Sequence, residues 1–316
     1  MRAVCVIGLG LIGGSILRAA PGGAWGATAS ETDAATAAAE GYDVLSLEAA
    51  LARASEEDAL VVLAVPLPSV DAVLRVIGEL TPTALLTDVV SVKAPVAASV
   101  AKHAPHARYA GGHPMAGTAE SGWSAGSAEL FRGAPWVITT DEGTDMEAWR
   151  ETAALALAVG AHVVPADAAD HDAAVARVSH LPHILAAVLA ATGADGGPLA
   201  LSLAAGSFTD GTRVAATRPE LTIAMCEANR SSLLAAVDDA LGRLGAARGA
   251  LASTGAVRAT VLAGHEARTA LTAAKDNGRA AVQVPLTLRD LRALGGRGGR
   301  VTALDGDTVR AELPVV

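Results

Sequence analysis

The stretch Val4-Cys5-Val6-Ile7-Gly8-Leu9-Gly10-Leu11-Ile12-Gly13-Gly14-Ser15 decides the fold of the chain's first half. Ala3 to Ile7 is a short apolar run of the kind buried on both faces in a parallel sheet. A Gly-x-Gly-x-x-Gly turn follows, then a helical stretch that ends near Pro21. In that setting the glycines permit a tight bend, and a pyrophosphate can approach backbone N–H groups at the helix N-terminus. Gly8, Gly10, Leu11, Ile12 and Gly13 are therefore predicted to hold a dinucleotide. The competing reading is a glycine-rich turn in some other α/β protein, and a second strand at 25–30 weighs against it.

The end of that second strand, Trp25 to Ser30 followed by Glu31, should carry the residue that reads the cofactor's ribose. If the strand ends at Thr28, the site offers Thr28, Ala29 and Ser30 and no acid, which leaves room for the 2′-phosphate of NADP. If it runs to Ser30, Glu31 is the acid that favours NAD. No arginine stands nearby in sequence to hold a phosphate, so the cofactor reads as NAD or NADP. Further strands are predicted at Ala59 to Val65, Leu85 to Val89, Arg108 to Gly112, Trp136 to Thr139 and His162 to Val164. The first of these closes on Val65 and Pro66, at the carboxyl edge beside which a Rossmann cofactor lies. Strands alternating with helices indicate α/β architecture: a Rossmann-like, mostly parallel, doubly wound sheet over residues 1–166.

From Asp167 the pattern changes. Asp167 or Asp170 can cap a helix, and helical stretches then run to residue 277 with no strand between them. Pro182 should kink the first of these. This second domain, 167–277, is all-α, with wide Ala/Leu faces that bury against each other or against a second subunit. Residues 278–316 return to β character as a short βαββ extension: a strand at 281–285, a helix at 288–294, and a hairpin turning at Asp305-Gly306-Asp307. The glycine- and arginine-rich run 295–300 reads as a connector.

Three strings carry chemistry. In Gly111-Gly112-His113-Pro114-Met115-Ala116-Gly117-Thr118 a histidine, able to exchange a proton near neutral pH, is fixed between a glycine pair and a proline. In Ser179-His180-Leu181-Pro182-His183 two histidines share a helix face. Such a pair could ligate zinc with His171 as a third ligand, but nothing else has the spacing of a metal signature, and no metal is expected. In the run 206–215, Gly211-Thr212-Arg213 presents an arginine suited to a bidentate carboxylate contact.

Together with the segment Asp88-Val89-Val90-Ser91-Val92-Lys93, these strings resemble the prephenate dehydrogenase family, which also includes arogenate dehydrogenases. The resemblance covers about residues 1–275. It implies NAD(P)-dependent oxidative decarboxylation of prephenate, or of arogenate, in tyrosine biosynthesis. His113 would accept or hold the hydroxyl proton and Ser91 would orient that hydroxyl. Thr118, Ser179, His183 and Arg213 would face the substrate, and the helical domain would form a homodimer. Matching Gly41 to the glycine that usually closes the next helix in the family favours the shorter strand ending at Thr28. One departure stands out: many relatives carry a tryptophan shortly after the proline matching Pro219, and here that position is Thr222.

Two rival readings remain in view. A non-enzymatic dinucleotide sensor needs the glycines but not Ser91, His113 and Arg213 together. Another β-hydroxyacid-type dehydrogenase would place a catalytic lysine on the long helix, where this chain has SHLPH. Composition narrows the partners. A net charge of −9 argues against nucleic acid. No secretory leader and no apolar run of about 20 residues is read, so a cytoplasmic protein without a membrane span is expected. Cys5 and Cys226 suggest neither a disulfide framework nor a metal knuckle. With aromatics at 3%, the core is expected to rest on many small contacts.

Overall fold

The structure, a computed structural model, describes residues 1–118 and 120–315, Lys275 by its backbone only. It divides into two units, Met1–Asp172 with Ala281–Leu313, and Ala173–Ala280.

The first unit opens with β1 (Val4–Ile7), α1 (Leu11–Ala19), β2 (Ala24–Ala27), α2 (Glu31–Ala39), β3 (Asp43–Val44), α3 (Leu47–Glu56), β4 (Leu60–Leu63), α4 (Val70–Leu80), β5 (Leu85–Asp88), α5 (Ala94–His103) and β6 (Arg108–Ala110). The strands form a parallel sheet in the order β3-β2-β1-β4-β5-β6, the doubly wound dinucleotide-binding order. Every residue of β1, β4 and β5 is buried, as central strands covered on both faces require; β1 and β4 are wholly apolar, and β5 ends on the buried Thr87 and Asp88. Side-chain caps start the helices: Ser30 accepts the Asp33 N–H and Ser46 accepts the Ala49 N–H.

The single sheet expected from the sequence divides in two after β6. Next come β7 (Gly112–Pro114), β8 (Pro135–Thr139), α6 (Met146–Ala158) and β9 (His162–Ala166). A Cβ on Gly112 would lie 2.5 Å from the Asp88 carbonyl oxygen, so only glycine lets the chain leave the first sheet this close to the end of β5. β7 then pairs antiparallel with β8, and β8 pairs parallel with β9. The second sheet is completed from the far end of the chain by β10 (Arg279–Pro285), β11 (Arg300–Asp305) and β12 (Thr308–Pro314), in the order β10-β12-β11-β9-β8-β7. Val301 of β11 faces Val163 of β9 across an antiparallel pairing.

The α6 helix packs against strands of both sheets and buries Ala148, Trp149, Thr152, Ala153, Leu155 and Ala156. Small residues let both sheets approach it closely. Of the few aromatics, Trp25, Trp123, Trp136, Trp149 and Phe131 are fully buried, so a handful of large side chains anchors a core otherwise made of small ones. Between β10 and β11, α14 (Leu288–Gly296; helices α7 to α13 are given below) packs on β9. Its Arg292 contacts Asp167 at 2.6 Å and donates to the Thr140 carbonyl.

The second unit is helical. α7 (Ala168–Val175) enters it, and a π-helical turn, Ala176–His180, leads into α8 (Leu181–Asp195). Pro182 sits in the first turn of α8, where its missing N–H is absorbed without a break. Ala168–Asp195 therefore runs as one helix, long and apolar enough to cross a membrane by length and composition alone, with a mean hydropathy of 1.4 over its most apolar window. The sequence reading expects a kink at Pro182 and no apolar run of about 20 residues. There follow α9 (Gly197–Ser202), α10 (Gly206–Thr212), α11 (Pro219–Ala228), α12 (Arg230–Ser253) and α13 (Arg258–Asp276). Broad apolar faces stay exposed, including Leu185, Val188 and Leu189 on α8 and Leu241, Leu244 and Leu251 on α12.

Candidate active site

The turn between β1 and α1 has the shape its glycines predict. Gly8 has φ +104°, and a Cβ there would lie 2.5 Å from the Ala64 oxygen. At Gly13 a Cβ would run into the Gly8 oxygen at 1.8 Å, while at Gly10 it would meet nothing within 4 Å. Gly8 and Gly13 thus bring the turn against the end of β4, next to Val65 and Pro66, and Gly10 keeps the side facing outward open. Gly10 caps α1 without a side chain, and the first turn carries no acid, so its N–H groups suit a pyrophosphate. A dinucleotide fits this cradle. Past β2, which stops at Ala27, Thr28 is the first residue beyond the strand. Its Oγ1 accepts the Ser30 N–H at 3.3 Å, Ser30 caps α2, and Glu31 is exposed in the first helical turn.

A buried polar cluster lies at the end of β5. Asp88 Oδ1 accepts from the Val90 N–H at 2.8 Å and from the Lys93 ammonium; Oδ2 accepts from the Tyr109 hydroxyl at 2.6 Å. Lys93 is fully buried and also donates to the Gly112 carbonyl, the residue before His113. Burial pulls the Lys93 ammonium below its ordinary pKa, against the opposing attraction of Asp88. Burial, followed by the Asp88 charge, pushes the Tyr109 hydroxyl well up. Ser91 sits half-buried in the loop between Asp88 and Lys93, the two residues that hold the backbone beside His113.

His113, half-buried on β7, is 2.8 Å through Nδ1 from Nε2 of His171. His171 Nδ1 in turn donates to Asp172 Oδ1 at 2.8 Å. Asp172 accepts the backbone N–H groups of Lys93 at 2.8 Å and Ala94 at 2.9 Å. Burial raises the Asp172 pKa, but the bonds from His171 and from the two amides outweigh it and hold the carboxyl below its usual range. One residue, Lys93, thus binds both the backbone at Gly112 and the carboxylate behind His171.

Of the remaining predicted residues, Thr118 is exposed and accepts the Glu120 N–H at 3.2 Å. In the second unit, His183 Nδ1 donates to the Ser179 carbonyl at 2.8 Å, within the turn that opens α8. His180 is buried with its Nδ1 3.1 Å from the Asn229 side-chain nitrogen. Arg213 is exposed on a short 3-10 turn, Arg213–Ala216, against which α8 packs. His171, weighed above as a metal ligand beside His180 and His183, is engaged by His113 and Asp172 instead.

Comparison with known proteins places this geometry. The family description "Prephenate dehydrogenase, nucleotide-binding domain" matches residues 26–165, and "Prephenate dehydrogenase, dimerization domain" matches residues 167–256. The chain belongs to the prephenate dehydrogenase family. Within it, the chain is 32% identical to a cyclohexadienyl dehydrogenase of Zymomonas mobilis, over 80% of this chain and 89% of that one. It is also 32% identical to a prephenate dehydrogenase of Lactococcus lactis, over 68% of this chain but 61% of the relative's length. A solved Corynebacterium glutamicum structure, proposed to be a prephenate dehydrogenase, superposes with a TM-score of 0.83 at 49% identity, covering 86% of this chain and 89% of that one. A Synechocystis arogenate dehydrogenase superposes at 0.70 with 28% identity, covering 85% and 99%. As a member of the prephenate dehydrogenase family the chain is an oxidoreductase with a nicotinamide-dinucleotide domain.

Reading the sequence singles out His113 and Ser91 but misses the groups behind them. His171 and Asp172 lie among alanines at a helix start and give no periodic signal. Lys93 and Asp88 stand in a quoted string, yet only the fold shows that they are fully buried. Asp141 accepts the Ala168 N–H, the first amide of α7, at 3.2 Å.

Two outcomes follow from this geometry. Lys93→Met leaves Asp88 buried without its counter-charge and should destabilise the protein by roughly 3–5 kcal/mol, read from the urea midpoint at constant slope. Cofactor discrimination should be weak, because the residue that follows β2 is Thr28 and not an acid. We expect less than about a hundredfold difference in kcat/KM between NAD+ and NADP+, or ~2.7 kcal/mol, and Glu31→Ala should leave the ratio unchanged.

Proposed function

We propose that this chain catalyses the NAD(P)+-dependent oxidative decarboxylation of prephenate to 4-hydroxyphenylpyruvate, working as a homodimer. The observation that carries the reading is His113, held by a buried network in the same unit as the dinucleotide cradle. Bound NAD(P)+ supplies the hydride acceptor. His113 accepts the proton of the ring hydroxyl and Ser91 orients that hydroxyl. Arg213 anchors a substrate carboxylate through its guanidinium fork. His183, Ser179 and Thr118 contact the substrate's polar groups. Loss of the ring carboxylate as CO2 makes the ring aromatic.

The exposed apolar faces of α8 and α12 support pairing with a second copy, since the region is matched by a family description that names dimerisation. A chain paired through these faces needs no membrane to cover Ala168–Asp195. The cytoplasm, where the free thiols Cys5 and Cys226 stay reduced, suits this reading. Arogenate is the second substrate to consider: the Synechocystis relative is an arogenate dehydrogenase, and Thr222 replaces a tryptophan common in the family. Assaying both substrates with both cofactors decides between them.

His113→Asn should lower kcat by roughly 10²–10⁴-fold with little change in KM, the range for loss of a general base. Wild-type turnover in that variant removes His113 from the chemistry. Arg213→Ala should act the other way. A charge-assisted anchor present in both ground and transition states raises KM when lost, with a smaller effect on kcat. An unchanged KM in steady-state kinetics assigns Arg213 a structural role.

A further inference from the structure

The line His113–His171–Asp172 has a direction fixed by chemistry. Asp172 is held below the usual carboxylate range, and its oxygens accept from the backbone N–H groups of Lys93 and Ala94. An ionised carboxylate only accepts, so the 2.8 Å contact from His171 Nδ1 is a donation, and His171 carries its proton there. A neutral His171 then has its lone pair on Nε2. The 2.8 Å contact with His113 Nδ1 follows as a donation from His113. In the neutral protein His113 therefore carries its proton on Nδ1 and its lone pair on Nε2.

We propose that His171 and Asp172 are positioning residues that fix His113 in this tautomer and share the proton it takes from substrate. The inference rests on the proposed function above. The balance of that reaction gives the relay its task. Oxidation breaks the hydroxyl O–H and C–H bonds: the proton goes to His113 Nε2, and the hydride, with two electrons, goes to the dinucleotide. Breaking the carbon–carboxylate bond releases CO2 and returns an electron pair to the ring, leaving a phenolate oxygen. The product is a phenol, so the overall reaction releases no proton, and the one removed must return to the same oxygen. It has to be held in between. When His113 gains a proton on Nε2, its Nδ1–H lies 2.8 Å from the His171 Nε2 lone pair, and Asp172 stabilises the imidazolium whichever ring bears it. The pair takes up one proton as a unit. The loop from Asp88 to Lys93 keeps both ends in register, through the Lys93 ammonium on Gly112 and the Lys93 amide on Asp172.

The test compares His171→Gln and His171→Leu with the wild type. Glutamine can still accept from His113 Nδ1–H, but it cannot take a proton; leucine does neither. We expect kcat to fall about tenfold in His171→Gln and about a hundredfold in His171→Leu, with KM nearly unchanged. Losing the ring that shares the proton, and in His171→Leu the acceptor as well, destabilises the His113 imidazolium, so the acid limb of the kcat profile should move to lower pH by about one unit in both variants. A purely structural role lowers kcat without moving that limb. Nitrogen NMR of the ligand-free protein provides a readout independent of activity. It should find His113 and His171 both protonated on Nδ1 near pH 8, with His113 titrating about one unit lower in His171→Gln. The proposal is overturned by wild-type kcat and an unmoved limb in His171→Gln, or by a His113 ring protonated on Nε2. If the wild type turns over neither prephenate nor arogenate, the functional reading fails by itself, and the NMR result still decides the relay.

Discussion

The buried pair of Asp88 and Lys93 is the interaction on which the candidate site depends. Two full charges sealed from water are stabilised only when each has its remaining partners. Asp88 has the Val90 amide and the Tyr109 hydroxyl, and Lys93 has the Gly112 carbonyl. These partners come from the end of the first sheet, from β6 and from the start of β7, so satisfying one ion pair fixes the geometry where the chain passes from one sheet to the other. His113 is the first side chain after that passage. The pair adds little net stability compared with a well-packed apolar substitute; its value lies in admitting one arrangement of the backbone beside the histidine.

The second sheet extends this control. The β9–α7 junction, which delivers His171 and Asp172, is held from the other side by α14: Arg292 reaches Asp167 and the Thr140 carbonyl, and Thr140 Oγ1 donates to Asp167 at 3.1 Å. The region outside the matched family descriptions thus contacts the segment that leads to the histidine pair. Burial raises the Asp141 carboxyl at the same junction, yet it still accepts the first helical amide of α7.

The Rossmann half was legible because its constraints are local. Gly8 needs its positive φ and Gly13 its close approach to the Gly8 oxygen, both within one turn, and unbroken apolar strands can only be central. The second sheet was not legible, because a strand's sequence does not name its partner. Nothing in His162–Ala166 says that Arg300–Asp305 will lie alongside it. The helical half was legible as helix but not in its joints: Pro182 reads as a kink, while the chain carries it in the first turn after a π-helical turn that ends at His180. At the site, His113 was legible from its glycines and proline. His171 and Asp172 were not, since a polar pair at an alanine-rich helix start looks like a solvated turn until Lys93 and Ala94 are seen to end on it.

The order of the two units along the chain has a kinetic consequence. The helical unit is inserted between β9 and β10, so it is synthesised before the strands that cover the open side of β9. Until β11 arrives, β9 presents unpaired backbone groups along an apolar edge, a template for another chain. Closing that edge joins residues far apart in sequence, a contact whose loop entropy slows it relative to the local helices. Assembly of the second sheet, rather than of the dinucleotide cradle, is thus the step during which this protein is most exposed to aggregation.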